Sequence, residues 1–232
     1  NFAMVKIILI SLALSSFTLS FASDKKLDFI PSEIFTKPIL VLADSKNNIT
    51  IEGISIIPRN KSEFLISEPK IDIRSEEISS SIRASEAILN HDTKIIDFKN
   101  SASFYTSDKN EISIKSEMLI FDLNKGELVS TKSVIFSLDN MKIKAGGLEV
   151  TQRKSRSEAI FKNAEINISE ENISHSGFAN ELILIPKTQE LVMKGDANFI
   201  QEGFEIKADL IRFNYKENKI VKSVNSVIRK EI

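Results

Sequence analysis

The stretch IKADLIRF (residues 206–213) recurs with small changes along most of the chain. It begins with an Ile, a basic residue and a small residue, and it leads into an apolar segment. Its other copies, the last two of them weaker, begin at Ile82, Ile114, Ile143, Gly177 and Ile49. A polar turn and a second apolar phrase follow each copy, so that six units of two apolar segments tile the chain.

The apolar segments alternate with polar residues and are rich in Ile, Val, Phe and Thr. This period of two predicts strands. After the N-terminal apolar segment, no stretch of about a dozen residues keeps the apolar spacing of an amphipathic helix. Short polar stretches such as Asn124-Lys125-Gly126 and Lys216-Glu217-Asn218 join the segments. Such tight links suit antiparallel strands, whereas parallel strands need long crossovers. We therefore predict an all-β, antiparallel fold of about six two-strand repeats.

Aligned units place apolar side chains in two columns, one from each half of the unit. A one-residue slip would turn a whole column to the opposite face, so the columns predict two sheets whose apolar faces look at each other. Between Ala84 and Ala87 the apolar parity changes, which predicts a bulge or bend within the first phrase. The candidate residues for an apolar groove are Leu89, Ala102, Phe104, Phe121, Val134, Phe136, Val150, Ile166, Leu184, Phe199 and Phe213.

Two architectures fit these columns: a closed sandwich with a dry core, and two sheets splayed around a groove. The columns mix small residues such as Ala145 and Ala208 with Phe and Ile, which favours room between the large side chains. A lining of Phe and Ile suits acyl chains. A closed sandwich would instead suit an envelope scaffold or adhesin without lipid cargo, and both interpretations stay open at this point.

The composition argues against several classes of function. The chain has 31 Lys+Arg against 32 Asp+Glu, and this balance lacks the basic excess of a nucleic-acid binder. Without Cys there is no disulfide framework, thiolate zinc site or thiol nucleophile. His91 and His175, the two histidines, are predicted to lie in solvated turns. We therefore expect no enzyme, no cofactor and no metal site.

The first residues have the pattern of a secretory signal peptide. Lys6 is followed by an apolar or small-hydroxyl run over residues 7–21, and Ala22 suits a cleavage site. The alternative is an N-terminal membrane anchor, although the run is shorter than the about 20 residues that a spanning helix needs. We expect residues 1–22 to be the signal peptide or anchor, residues 23–38 a linker, and residues 39–232 the β domain.

Residues 206–215 (IKADLIRFNY) and 190–197 (ELVMKGDA) resemble the OstA-like repeats of the lipopolysaccharide-transport protein LptA, and residues 127–148 are similar to its partner LptC. The resemblance spans roughly residues 49–228. It implies a twisted, open and elongated β-jelly-roll in a Gram-negative periplasm, with lipopolysaccharide acyl chains held in the groove. The chain lacks the convincing N-terminal membrane helix of LptC, while its middle looks less like LptA.

The resemblance also implies that units join head to tail between the inner-membrane ABC transporter complex and the outer membrane. The expected partners are thus lipopolysaccharide and other Lpt components, with no nucleic acid. Unpaired strands at the two ends would accept these neighbours by strand addition, and the residues placed there are Leu40, Leu42, Val221 and Val227. The basic run at residues 153–156 is predicted to be a solvated hairpin tip or, alternatively, a contact for anionic lipid phosphates.

Overall fold

The computed structural model describes residues 35–37, 39–43, 47–75, 79–106, 111–153, 156–170 and 173–230. The expected signal peptide or anchor, and most of the expected linker, lie outside these ranges. Within them every regular element is a strand, which confirms the all-β prediction. Among the described residues no helix is long and apolar enough to cross a bilayer.

Twenty strands form in the described part of the chain. Those of the first half are β1 (Phe35–Thr36), β2 (Ile39–Ala43), β3 (Asn47–Glu52), β4 (Ser55–Pro58), β5 (Glu63–Ser67), β6 (Lys70–Ser75), β7 (Ser79–Arg83), β8 (Glu86–Asn90), β9 (Ile95–Thr106) and β10 (Ile112–Asp122). Those of the second half are β11 (Glu127–Ser130), β12 (Val134–Leu138), β13 (Met141–Ala145), β14 (Gly147–Arg153), β15 (Arg156–Glu170), β16 (Ile173–Ile185), β17 (Glu190–Gln201), β18 (Phe204–Asn214), β19 (Lys219–Val224) and β20 (Val227–Lys230).

The strands pair in two antiparallel sheets, which share six long strands: β9, β10 and β15 to β18. Sheet I runs in the order β2-β3-β6-β7-β9-β10-β12-β13-β15-β16-β17-β18-β20. Sheet II runs β1-β4-β5-β8-β9-β10-β11-β14-β15-β16-β17-β18-β19. The predicted two-strand repeats are therefore present, and each arm of a repeat contributes one segment to each sheet.

A bend separates the two sheets along every arm, and we call this line the corner. The register between strands shifts there, for example between Ser116 and Met118 and between Phe178 and Glu181. Residues with a positive φ also lie at the corner: Asn100, Ser101, Asn163, Gly195 and Asp196. Asn, Asp and Gly accept this conformation more readily than other residues. The predicted bulge between the small residue and the later apolar pair is thereby confirmed.

The inner faces of the two sheets meet in a hydrophobic core that runs from Ile49 in β3 to Phe213 in β18. Their polar neighbours along each strand face outward, as the period-two pattern requires. The architecture is an elongated, twisted antiparallel β-jelly-roll. The turns at residues 123–126 and 215–218 fall where the sequence predicted them.

Candidate functional site

The inner face of sheet I carries a continuous row of apolar residues, one from each neighbouring strand. Directly paired residues on adjacent strands point to the same face, so the register defines the row. From β3 to β20 it consists of Ile51, Ile71, Ile82, Phe104, Ile114, Phe136, Ile143, Ile166, Gly177, Phe199, Ile206 and Ile228. Gly177 is the one member without a side chain. We call this set row I.

Sheet II carries a matching row on its inner face, which we call row II. From β5 to β19 it consists of Phe64, Leu89, Ile96, Phe121, Leu128, Val150, Ala159, Leu184, Leu191, Phe213 and Ile220. Most members of both rows are buried, and the exception with the largest exposure is Ile228 at 62%. The two rows give the interior a continuous apolar lining along the sheets.

The candidate groove residues all lie on the inner faces. Nine of them belong to the two rows. Ala102 and Val134 lie on the same face, two residues closer to the corner than Phe104 and Phe136. Ten are buried, and Val150 is partly buried against the same core. The structure therefore brings the predicted set together along one interior, while their binding of lipid stays a prediction.

A cavity of about 60 Å³ lies between the rows in the middle of the molecule. Its lining is almost wholly apolar and includes five of the candidate residues: Phe104, Phe121, Phe136, Val150 and Leu184. A cavity measured in this way needs roughly 10–15 Å³ for one water molecule. The space therefore accepts a few methylene groups at most unless the two sheets separate.

The small residues that the sequence offered as spacers lie at the corner instead. Ala102 follows Ser101, Ala164 follows Asn163, and Ala197 follows Asp196, each next to a residue with a positive φ. All three are buried, at 1%, 0% and 1% exposure. At these positions the small side chains permit the close approach of the two sheets where the strands bend, and the expectation that small residues leave room in the groove stays a prediction.

His175 is not in a solvated turn as predicted. It lies in β16, directly opposite Ile168, and only 1% of it is exposed. Its ring stacks on Phe199, with 5.8 Å between ring centroids, and meets Phe213 edge-on at 5.6 Å. The strand continues through His175. Because alternate residues of a strand point to the same face, His175 faces inward together with Gly177 and Ala179. This parity was the sequence signal that could have placed it.

His91, by contrast, does lie in the turn between β8 and β9. Its Nδ1 is 3.0 Å from the carbonyl oxygen of Ser62, and its Nε2 is 3.0 Å from a carboxylate oxygen of Asp92. Among the described residues no group of three or more His, Cys, Asp and Glu side chains could hold a metal ion. The turn that contains Lys154 and Ser155 lies outside the described residues, so the predicted phosphate contact there stays a prediction.

Charged side chains line the outer face near the corner. The Glu181 carboxylate binds Lys162 and is 3.1 Å from the Nζ of Lys194. The hydrogen bond from Lys162 lowers the pKa of Glu181 against the opposing effect of partial burial, and Lys194 lowers it further. On the inner side, burial raises the pKa of Tyr215 to about 12, with a smaller contribution from the charge of Asp139. Glu181 and its two lysine partners thus stay outside the apolar interior.

The strands at the two ends leave one edge without a partner in the described part of the chain. At the N-terminal end β2, which contains Leu40 and Leu42, pairs with β3 alone, and the two-residue β1 pairs with β4. At the C-terminal end β19 and β20 both pair with β18. Val221 in β19 and Val227 in β20 are 49% and 55% exposed. These edges have the backbone groups that strand addition requires.

The sequence matches two family models. The model described as lipopolysaccharide-assembly, LptC-related, matches residues 35–160, and the model described as LptA/(LptD N-terminal domain) LPS transport protein matches residues 113–219. The stretch that resembled LptC, residues 127–148, lies within the first match. No curated protein sequence matches the chain.

A solved structure also shows a distant similarity. It is that of LptH, the LptA homologous periplasmic component of the conserved lipopolysaccharide transport device from Pseudomonas aeruginosa. The two chains are 9% identical, the match covers 66% of this chain and 95% of that chain, and the TM-score is 0.41. The LptC-related model covers more than half of the 232 residues, and the chain therefore belongs to the LptA/LptC family of lipopolysaccharide-transport proteins.

Proposed function

We propose that this protein carries lipopolysaccharide through the periplasm, with the acyl chains shielded between the inner faces of sheets I and II. The observation that carries the proposal is the unbroken pair of apolar rows, which offers a similar surface at every strand. Family membership supports a role in lipopolysaccharide transport and a place among periplasmic proteins. The shielding of acyl chains and the bridging role are the parts that we propose.

Loading requires the two sheets to move apart. The cavity of about 60 Å³ holds only a short piece of one chain, whereas burial is favourable by roughly 0.8 kcal/mol per methylene group. A fully enclosed chain of about twelve carbons would thus gain on the order of 10 kcal/mol. Partial cover by sheets that open at their turn-bearing edges would keep binding reversible, because only part of that free energy would be realised.

The unpaired end strands supply the means of passing the cargo to a neighbour. We propose that β2 at one end and β19 with β20 at the other pair with strands of other Lpt components, including the inner-membrane ABC transporter complex. Pairing would extend both sheets, and rows I and II would continue into the next protein. The exposed Ile228 supports this because it is the last member of row I and is 62% exposed.

Photo-crosslinking in cells tests the proposal. A photoreactive amino acid replaces Phe104, Phe136 or Phe199 in row I, one at a time, and replaces Ile135 as an outward-facing control that is 39% exposed. We expect lipopolysaccharide adducts at the inward positions and none at residue 135. The absence of an adduct at all three inward positions would refute the proposal.

A scaffold without lipid cargo is the second candidate, and the closely filled interior favours it. The ring centroids of Phe136 and Phe161 are 5.2 Å apart across the core, and most of the inner side chains are buried. A scaffold predicts no adduct at any of the four crosslinking positions. The same experiment therefore decides between the two candidates.

A further inference from the structure

We propose that His175 is a hydrogen-bonding site within the interior that recognises a hydroxyl group on an acyl chain. This inference rests on the proposed function and adds the chemical feature of the cargo that the interior would select. It begins from a polar side chain in an otherwise apolar place. The two aromatic side chains that contact its ring, Phe199 and Phe213, are hydrocarbons.

Neither ring nitrogen of His175 has a hydrogen-bond partner among the described residues, although the side chain is 1% exposed. Buried polar groups in proteins nearly always have a partner, and each exception requires an explanation. A wholly structural role between two Phe rings would be served better by Phe or Leu, which bring no unsatisfied polar atom. The imidazole thus has hydrogen-bonding capacity that the fold itself does not use.

The surrounding residues hold the imidazole in a defined place. Phe199 and Phe213 lie 4.8 Å apart and both contact it. Gly177, two positions along β16, lets Phe199 lie against the strand, since a Cβ there would be 2.9 Å from its Cδ2. The interplanar angle of 28° between His175 and Phe199 leaves the ring edge, which bears both nitrogens, clear of the stacking contact.

The chemistry of the site favours a neutral group that both donates and accepts. A neutral imidazole has one N–H donor and one acceptor nitrogen, and a hydroxyl group matches both. A carbonyl oxygen would satisfy the donor alone. A phosphate would bring a negative charge against Ile168, Phe199 and Phe213, which cannot compensate it. The geometry therefore points to a hydroxylated acyl chain.

The position of His175 along the interior agrees with this assignment. The cavity is lined by Leu184 of β16 and by Pro186 in the turn that follows it, and its lining includes no residue of β17 or β18. Phe199 and Phe213 are in those two strands, beyond the cavity. An acyl chain that extends from the cavity toward the C-terminal end would have to part these rings, and its hydroxyl group would then meet the imidazole.

The experiment compares two ligands that differ in one hydroxyl group. The full chain is titrated by calorimetry with dodecanoic acid and with 12-hydroxydodecanoic acid, whose hydroxyl group is remote from the carboxylate, so that the charge can stay in solvent. We expect the protein to bind the hydroxylated acid about five- to tenfold more tightly, as one buried hydrogen bond allows. In His175→Leu and His175→Phe this preference should disappear, and the melting temperature should not fall, because an unsatisfied polar group is removed from the interior.

A row I variant supplies the matched control. Ile143→Val removes one methyl group from the interior at a site that pairs with Phe136, so it should weaken both acids equally and keep the preference. If the unmodified protein bound the two acids with equal affinity, or if the preference persisted in both His175 variants, this inference would be wrong while the proposed function would stand. If neither acid binds the unmodified protein, the proposed function fails, and the inference fails with it.

Discussion

The middle of the molecule and its C-terminal third have the same backbone plan but different interiors. In the middle, between β6 and β16, the facing rows border a cavity with a mainly apolar lining that includes Phe121 and Phe136. In the C-terminal third, Phe199, Phe213 and His175 fill the equivalent space with ring-to-ring contacts. The strand ladder therefore sets where a side chain points, whereas the side chains that fill the interior differ between the two regions.

The largest expected difference between the two regions is in the free energy of unfolding. Phe199→Ala should lose about 3–5 kcal/mol, because a fully buried ring with aromatic neighbours is removed. Phe121→Ala should lose less, about 2–3 kcal/mol, since this ring already lacks neighbours on the cavity side. Urea denaturation measures both values. Equal losses would show that the two regions are packed alike.

An intermediate difference is expected when a small residue is enlarged. Ala159 lines the cavity, so Ala159→Val should stabilise the protein by about 0.5–1 kcal/mol. Ala197 lies beside the bend at Asp196 and is 1% exposed, so Ala197→Val should destabilise it by about 1–3 kcal/mol through overpacking. Thermal unfolding of the pair provides the measurement, and a gain in stability from Ala197→Val would contradict the account of the corner.

The smallest expected effect tests the charged outer face of the C-terminal half. Glu181 has a pKa below its ordinary value of 4.5, so its ionised form stabilises the fold above pH 4.5 and this contribution is lost as the pH falls below it. Glu181→Gln should therefore lose less than about 1 kcal/mol at pH 7, since its partners are exposed. The loss should vanish in acid. Glu217→Gln, at a more exposed pair with Lys219, serves as the control and should change stability even less.

The sequence was sufficient to predict the strands, the turns and which residues face inward. Alternation along each repeat identified Phe104, Phe136 and Phe199 as one set, and the register places all three in row I. The reason is that period-two patterning is local, and a slip of one residue would expose the whole set. The lining of the candidate site could thus be read without coordinates.

Other features depend on distances that no local pattern records. The size of the cavity depends on how closely the two sheets approach, which the alternation within a single strand does not record. His175 was missed because the polar residues around it, Ser174 and Ser176, resemble a turn. They face outward on a strand that continues past them. The polar composition therefore suggested a turn, whereas the alternation of inward and outward positions would have indicated a strand.

The regular spacing of the strands also determines the length of the protein. Neighbouring strands lie about 4.8 Å apart, so the thirteen segments of sheet I would span roughly 58 Å along the stacking direction. Because each strand of sheet I from β3 to β20 adds one member to row I, gaining or losing a two-strand repeat would change that span by about 10 Å without disturbing the register elsewhere. Reach across a compartment could thus be adjusted in fixed steps by duplication or deletion of a repeat, with the path for cargo left continuous.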